Sequence, residues 1–254
     1  MTSKSDGSKE PKKAPSKKAT SSKSGTPSTK ERILDTAERL FVRYGFKGVS
    51  MRLLTRESKV NLAAVHYHFG GMESVLRALF EKHIVPLNQE RHELLDRCLV
   101  EDADQFNSVR NLIEAYIMPS LRYPASSKPP KSLFARLQAQ LSVDPSPEVR
   151  RVIDRGYDEI GTRFGRMLKV HCPHLSDSEF FWRLNCLYGT MFYTQADTGR
   201  THKIAELMGF EFEPHNRPRD IKLIAGFLAA GFLAPPVLSD DQKSAAKPKA
   251  GSDY

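Results

Sequence analysis

Cysteine is scarce in this chain: Cys98, Cys172 and Cys186 are the only three, an odd number and widely spaced. No Cys-x-x-Cys pair occurs, so neither a disulfide framework nor a structural zinc site is expected, and the thiols read as reduced ones in a cytoplasmic protein. No secretory leader is expected either, because the first residues are Lys-, Ser- and Pro-rich with no apolar stretch. The apolar run from Leu223 to Leu238 is broken by Pro235-Pro236. The roughly twelve helical residues it allows are too few to span a bilayer. A Gly-rich phosphate loop, a Ser-His-Asp order and a Gly-x-Ser-x-Gly elbow are all missing, so no residues support an enzyme and no cofactor is expected. Sustained period-two alternation and fixed-period repeats are missing too, which leaves an all-α reading.

What is present is charge, and it is unevenly placed. Of 254 residues, 39 are Lys or Arg and 30 are Asp or Glu, a formal +9. Residues 1–30 hold eight Lys against Asp6 and Glu10, and residues 31–83 hold nine cations against six acids. From 84 to 238 there are nineteen of each sign, and 239–254 is balanced. The excess therefore lies in the first third, the pattern of a polyanion-binding segment joined to a neutral one that binds something else. Residues 1–28 have no large apolar side chain after Met1 and read as a disordered basic tail; 239–254 reads as a second disordered tail. Between them lie an expected N-terminal unit, 29–83, and a larger helical unit, 84–238.

The first helix is marked at both ends. Ser28 and Glu31 fit a capping box, Ile33, Leu34, Ala37, Leu40, Phe41 and Tyr44 form one apolar stripe, and Gly45 fits a left-handed C-terminal cap. Ser50 suits the N-cap of a short helix Met51 to Ser58, and a third short helix runs from Leu62 to about Phe69. Gly70-Gly71 then precedes a longer helix in which Pro86 marks a bend or the end. Two short helices joined by a tight turn on a capped first helix make a helix-turn-helix. The third helix carries Ala63 and Ala64, small enough for close approach to a groove floor, and His66, Tyr67 and His68, able to reach bases or phosphates. The plainer alternative is that the alanines only favour helix and Tyr67 is a core aromatic.

These residues resemble a known family. The runs ILDTAERLFVRYGF (33–46), Ser50-Met51-Arg52 and VNLAAVHYHFG (60–70) resemble the DNA-binding domain of TetR-type bacterial transcriptional regulators over roughly fifty residues. The resemblance implies that Arg52, Asn61, Ala63, Ala64, His66, Tyr67 and His68 face DNA. Two positions depart from the family pattern: Lys59 stands where the turn usually has Gly, and Gly71-Met72 replaces a usual Ser-Lys whose Lys contacts phosphate. A left-handed Lys59 would cost on the order of 1 kcal/mol, unless the turn is remodelled.

In the neutral two-thirds, helices are expected near 72–100, 105–121, 131–142, 146–170, 176–200 and 218–234. The stretch from Phe180 to Tyr193 is apolar nearly all round, so it is buried on more than one side. The resemblance implies that the last two helices pair with their two-fold mates, through Tyr188, Phe192, Ile224, Phe227, Leu228 and Gly231. A dimer is also what operator recognition needs, since two recognition helices about 34 Å apart read a palindrome in double-stranded DNA. Phe134, Leu137, Phe164, Met167 and Trp182, interrupted by Arg136 and Arg183, suit a long apolar chamber with cations at its mouth. That composition fits an amphipathic anion such as a fatty acid or acyl thioester. The runs Phe134-Ala135-Arg136-Leu137 and Phe180-Phe181-Trp182-Arg183, with Gly189, resemble the PsrA-type subgroup, associated with fatty-acid sensing.

No metal site is expected. His66 and His68 diverge by about 200° on a helix, and His171-Cys172-Pro173-His174 has no acidic partner at ligand spacing. The sequence thus reads as a homodimeric, sequence-specific DNA-binding regulator released by a small hydrophobic effector. An architectural DNA binder, or a regulator that its ligand activates, are the other readings it leaves open.

Overall fold

A computed structural model describes residues 27–99, 103–122, 130–196, 199–212 and 217–237. The two tails expected to be disordered lie outside these, apart from Pro27 and Ser28. Among the described residues the fold is all-α: α1 (Thr29–Tyr44), α2 (Met51–Ser58), α3 (Leu62–Phe69), α4 (Met72–Cys98), α5 (Gln105–Leu121), α6 (Pro130–Ser142), α7 (Pro147–Val170), α8 (Asp177–Ala196), α9 (Arg200–Leu207) and α10 (Arg217–Leu233). None is long and apolar enough to cross a membrane.

The helix ends are set by the residues that can satisfy orphan backbone groups. Ser28 Oγ accepts from the Glu31 amide at 3.2 Å while Glu31 Oε2 accepts from the Ser28 amide at 2.8 Å, a complete capping box. Gly45 ends α1 at φ 69°, where a side chain would be strained, and Phe46 folds back to within 5.6 Å of Phe41. Ser50, Asn61 and Asp104 accept from the amides of Leu53, Ala64 and Asn107. Pro86 does not end α4; the helix continues through it to Cys98. The expected single helix 176–200 is instead α8, ending at Ala196, and a separate short α9 that starts after a left-handed Gly199.

Two apolar clusters organise the packing. The first joins Leu34, Phe41, Leu54, Val65 and Leu79 of the first four helices to Phe134, Leu137 and Leu141 of α6 and to Val149 and Val152 of α7. The second gathers Leu95, Ile113, Tyr116, Phe164, Leu187 and Phe232 from α4, α5, α7, α8 and α10. Helix α4 enters both. It packs tightly on α7 at Gly156, where an added Cβ would lie 2.7 Å from Phe80 Cε1. Asn88 fixes the same crossing by donating to the Gly156 carbonyl at 2.7 Å. Polar ties join the first three helices and their loops to α6 and α7: Gln140 donates to the Val42 carbonyl at 3.2 Å, and Lys47 pairs with Glu148 at 3.0 Å.

Two glycines of α7 make a matched test of this crossing. Gly165 has open space where its Cβ would go, whereas Gly156 does not. Gly165→Ala should stabilise by roughly 0.5–1 kcal/mol through helix propensity. Gly156→Ala should fall below it by about 1–3 kcal/mol because a ring must move. Equal urea midpoints for the two variants would show that α4 and α7 are not in this contact.

Candidate functional site

Helix α3 is short and strongly two-sided. Val65 and Phe69 point into the first cluster, while Ala63, His66, Tyr67 and His68 are exposed and Ala64 is half-buried. Tyr67 is 86% exposed, which removes the alternative that it is a core aromatic. Its ring packs edge-on against His68 at 5.2 Å. His66 Nδ1 lies 2.9 Å from the Gly70 carbonyl. A carbonyl only accepts, so Nδ1 carries the proton and a neutral ring presents Nε2 as an acceptor. Asn61 has a structural duty, since its Oδ1 accepts from Ala64 at 2.7 Å; its side-chain NH2 is left for outside contacts.

Helix α2 holds α3 in place through Leu54, buried in the same cluster as Val65 and Phe69, and Ser58 ends α2 by donating its hydroxyl to the Leu54 carbonyl at 2.6 Å. Arg52 is exposed on its first turn. The turn to α3 is not remodelled: Lys59 takes φ 55° and ψ 43°, the left-handed conformation that Gly would adopt freely. Past α3, Met72 is half-buried against the first cluster. Glu73 beside it is held by Arg151 at 2.7 Å and 3.2 Å, and these hydrogen bonds keep its carboxyl below the usual range. The α4 N-terminus thus carries a half-buried Met72 where the family pattern places a Lys, followed by an acid already paired with Arg151.

The residues expected to line an effector chamber do not converge. Phe134 and Leu137 belong to the first cluster, and Phe134 stacks on His83 at 4.1 Å. Phe164 is in the second cluster, stacked on Tyr116 at 4.1 Å, with Met167 packed against it. Arg136 is exposed and Trp182 is 68% exposed. Arg183 serves a helix end: it donates to the carbonyls of Gly231, Ala234 and Pro235 and pairs with Glu179 at 2.7 Å. Trp182 lines a shallow depression with Ser178, Phe181 and Asn185, and three larger open spaces lie elsewhere. A cleft of about 460 Å³ separates α4 from α7, a groove of about 710 Å³ runs between α7 and α8, and a hollow of about 530 Å³ lies among α1, α4, α5 and α6. Of the seven expected residues only Phe134 lines any of these three, on the last.

The α7–α8 groove is walled by Phe180, Phe181, Leu184 and Tyr188 over Gly161 and Gly165. Burial, and then the neighbouring Tyr116, push the Tyr188 phenol far above its ordinary range, so it stays neutral. Sequence reasoning missed one interior residue altogether. Arg91 is fully buried on the inward stripe of α4, and its only sequence signal is a cation at a core position between Ile84 and Leu95.

The last helices show an uncovered apolar face. Phe227 is 74% exposed, and Phe181, Trp182, Tyr193 and Leu223 are exposed with it. Of the expected dimer residues, Gly231 is exposed and Ile224 half-buried, while Tyr188 and Phe192 are half-buried against their own chain. Leu228 is buried, a correction with a simple cause. Helix α10 lies on α5 through Ile221, Ala225, Leu228 and Phe232, which turns Leu228 away from the outer face. The outward Phe181 and Leu223 were hidden in sequence because a helix that is apolar all round does not reveal its phase. In the His171–His174 loop, Cys172 is buried and its thiol is pushed up by burial. Among the described residues no group of three or more His, Cys, Asp or Glu could hold a metal ion.

Comparison with known proteins places two family models on the chain. The one described as bacterial regulatory proteins, tetR family, matches residues 33–79. The one described as tetracyclin repressor-like, C-terminal domain, matches residues 114–231. None of the curated proteins compared with it matches. Among solved structures, a transcriptional regulator from Rhodococcus sp. Rha1 has a TM-score of 0.53 at 15% identity, covering 81% of this chain and 96% of its own. GusR from Salmonella enterica gives 0.53 at 16% identity, over 81% and 95%. The fatty acid degradation regulator FadR from Bacillus halodurans gives 0.53 at 13% identity, over 84% and 100%. Likeness at these identities is a likeness of fold.

The left-handed Lys59 is directly testable. Lys59→Gly should raise the unfolding free energy by up to about 1 kcal/mol, the relief of the Cβ clash less the extra freedom of an unfolded glycine. Urea denaturation reads it, and a loss of stability would mean that the lysine side chain contributes more to the turn than its backbone costs.

Proposed function

Because the chain belongs to the TetR family of bacterial transcriptional regulators and is a DNA-binding regulator, we propose that it is a ligand-released repressor acting as a homodimer on palindromic DNA. The observation that carries this reading is the outer face of α3: a helix of eight residues, anchored by Val65 and Phe69, that leaves a large aromatic, two imidazoles and Ala63 facing out, with Ala64 half-buried beside them. Aromatic and imidazole groups left in water on a helix gain no packing there, whereas a major groove gives them partners. Ala63 and Ala64 set the depth of approach, and His66 Nε2 is offered to a base edge. Arg52, Asn61, Tyr67 and His68 reach flanking bases or phosphates.

Phe181, Trp182, Leu223 and Phe227 form the dimer surface, with Gly231 allowing close approach of the partner's helix. An apolar patch of this kind in water favours association. The effector is a small amphipathic anion, fatty-acid-like or an acyl thioester, and it enters among the helices behind α4. It acts by preferring a dimer whose two α3 helices are wrongly spaced for the operator. A tenfold loss of DNA affinity needs only about 1.4 kcal/mol of such preference.

His66→Ala and Arg52→Ala should each cost about 1–3 kcal/mol in binding a palindromic promoter site and much less on scrambled DNA, read by competition at fixed salt. Equal losses on both would favour an architectural binder. Phe227→Glu should yield monomers in sedimentation and lower operator affinity by at least tenfold. A variant that remained dimeric would move the interface off α10.

A further inference from the structure

Arg91 occupies a place meant for an apolar side chain. The inward stripe of α4 runs Leu76, Phe80, Ile84, Asn88, Arg91 and Leu95, and Arg91 is 0% exposed. Its guanidinium lies 4.6 Å from the Tyr116 ring and 5.7 Å from the Tyr157 ring. Nε donates to the Tyr116 carbonyl at 2.9 Å, one terminal nitrogen donates to Asn88 Oδ1 at 3.0 Å, and the other donates to Ser120 Oγ. All three acceptors are neutral. A guanidinium carries five N–H donors, so two are left over. Among the described residues Arg91 makes no ion pair, although the less buried Arg163 and Arg183 each have a carboxylate, Asp96 and Glu179. A charge taken out of water without a counter-ion is held at a cost, and an anion brought to it recovers much of that cost.

The route to it is short. Asn88 both accepts from Arg91 and donates to the Gly156 carbonyl, and it lines the α4–α7 cleft of about 460 Å³. Phe80, Ile84 and Ile160 give that cleft an apolar wall for a hydrocarbon, and Arg155, Glu81 and Glu159 put charge of both signs on the rest of its lining. Asn88 therefore links the buried cation directly to a mixed polar and apolar cleft.

We infer that Arg91 is the head-group site for a carboxylate-bearing effector. The carboxylate replaces Asn88 Oδ1 on the guanidinium, taking the two unused N–H donors as well, and the hydrocarbon lies along the α4–α7 cleft. Displacing Asn88 also breaks its bond to Gly156, the polar tie between α4 and α7 nearest Arg91, with the Glu73–Arg151 and Asp96–Arg163 pairs remaining above and below it. Occupation thus loosens the helix that leads to α2 and α3. This inference rests on the reading that an amphipathic anion is the effector. It assigns the anion to Arg91 in place of the exposed Arg136 and the helix-capping Arg183.

Dodecanoate and dodecanol, equal in chain length and different in charge, are the probes, titrated calorimetrically into the full chain. The wild type should bind dodecanoate at least tenfold more tightly than dodecanol, and Arg91→Met should bind the two alike. In the absence of ligand Arg91→Met should melt no lower than the wild type; a purely structural arginine would lower the melting temperature and leave the preference intact. Should Arg91→Met fail to fold, Asn88→Asp supplies the missing counter-ion in place. It should bind dodecanoate at least tenfold more weakly than the wild type; its carboxylate cannot donate to the Gly156 carbonyl, so the readout for this variant is affinity and not melting temperature. Unchanged dodecanoate affinity in Asn88→Asp, a preference that survives in Arg91→Met, or a wild type that binds neither probe overturns the assignment. Promoter release separates this from the broader reading. A wild type that lets go of DNA with both probes alike refutes the Arg91 site and keeps the ligand-released repressor; one that prefers dodecanoate through Arg91 yet stays on DNA does the reverse.

Discussion

Helix α4 has to satisfy two cores at once, and the rest of the molecule is arranged around that constraint. Val75, Leu76, Leu79 and Ile84 are buried in the cluster that positions the helix-turn-helix, while Leu95 is buried in the cluster of the last helices. Packed interiors are close to crystalline in density, so a helix shared by two of them moves as a lever rather than bending freely. Pro86 sits between the two buried stretches, where one backbone hydrogen bond is lost and the helix is softest. The Asn88 bond lies within a turn of it and the Gly156 crossing at Phe80 within two. A change in how α7 rests on α4 is therefore delivered to α2 and α3 through covalently continuous helix, with few other paths needed.

The first cluster is not confined to the helices that face DNA. Phe134, Leu137 and Leu141 of α6 and Val149 and Val152 of α7 complete it, and the Lys47–Glu148 and Glu73–Arg151 pairs fasten its rim. These pairs are largely exposed and contribute little stability by themselves. What they fix is direction: α1 and the start of α4 follow α6 and α7 when those helices shift. Coupling in this chain is thus a matter of shared apolar surface with polar register marks.

What sequence could show was whatever depends on local chemistry. The Ser28–Glu31 box, the Gly45 cap, the Ser50 cap and the two-sidedness of α3 follow from the few residues concerned, and the structure has each of them. What it could not show depends on rotational phase and on the approach of distant helices. Leu228 and Phe227 are neighbours in an apolar run, yet α5 buries the first and leaves the second in water. Trp182 looked like a chamber wall because aromatics suit chambers, but α8 presents it outward beside Phe181. The expected chamber failed as a set for the same reason. Phe134 and Phe164 are equally apolar, and only their positions on α6 and α7 assign them to different cores. The break between α8 and α9 depended on Gly199 adopting positive φ, which a glycine permits without requiring.

Arg91 joins these two kinds of information. A cation on the inward face of an amphipathic helix is visible as a mismatch with the stripe around it, although the stripe alone does not say whether an acid waits on a facing helix. The structure supplies the facing groups: two tyrosine rings, a carbonyl, an amide and a hydroxyl, each neutral. Replacing such an arginine by a well-packed apolar residue commonly leaves a protein as stable or more so, which makes fold stability a poor explanation for its presence. The Tyr116 carbonyl it holds is next to that of Ala115, the one Pro119 leaves without a helical donor in α5. That service needs a single N–H and no charge; Asn or Gln could supply it. Beyond the Asn88 and Ser120 bonds and the two tyrosine faces, two donors stay unused and the charge meets no carboxylate, beside the amide that ties α4 to α7 at the cleft.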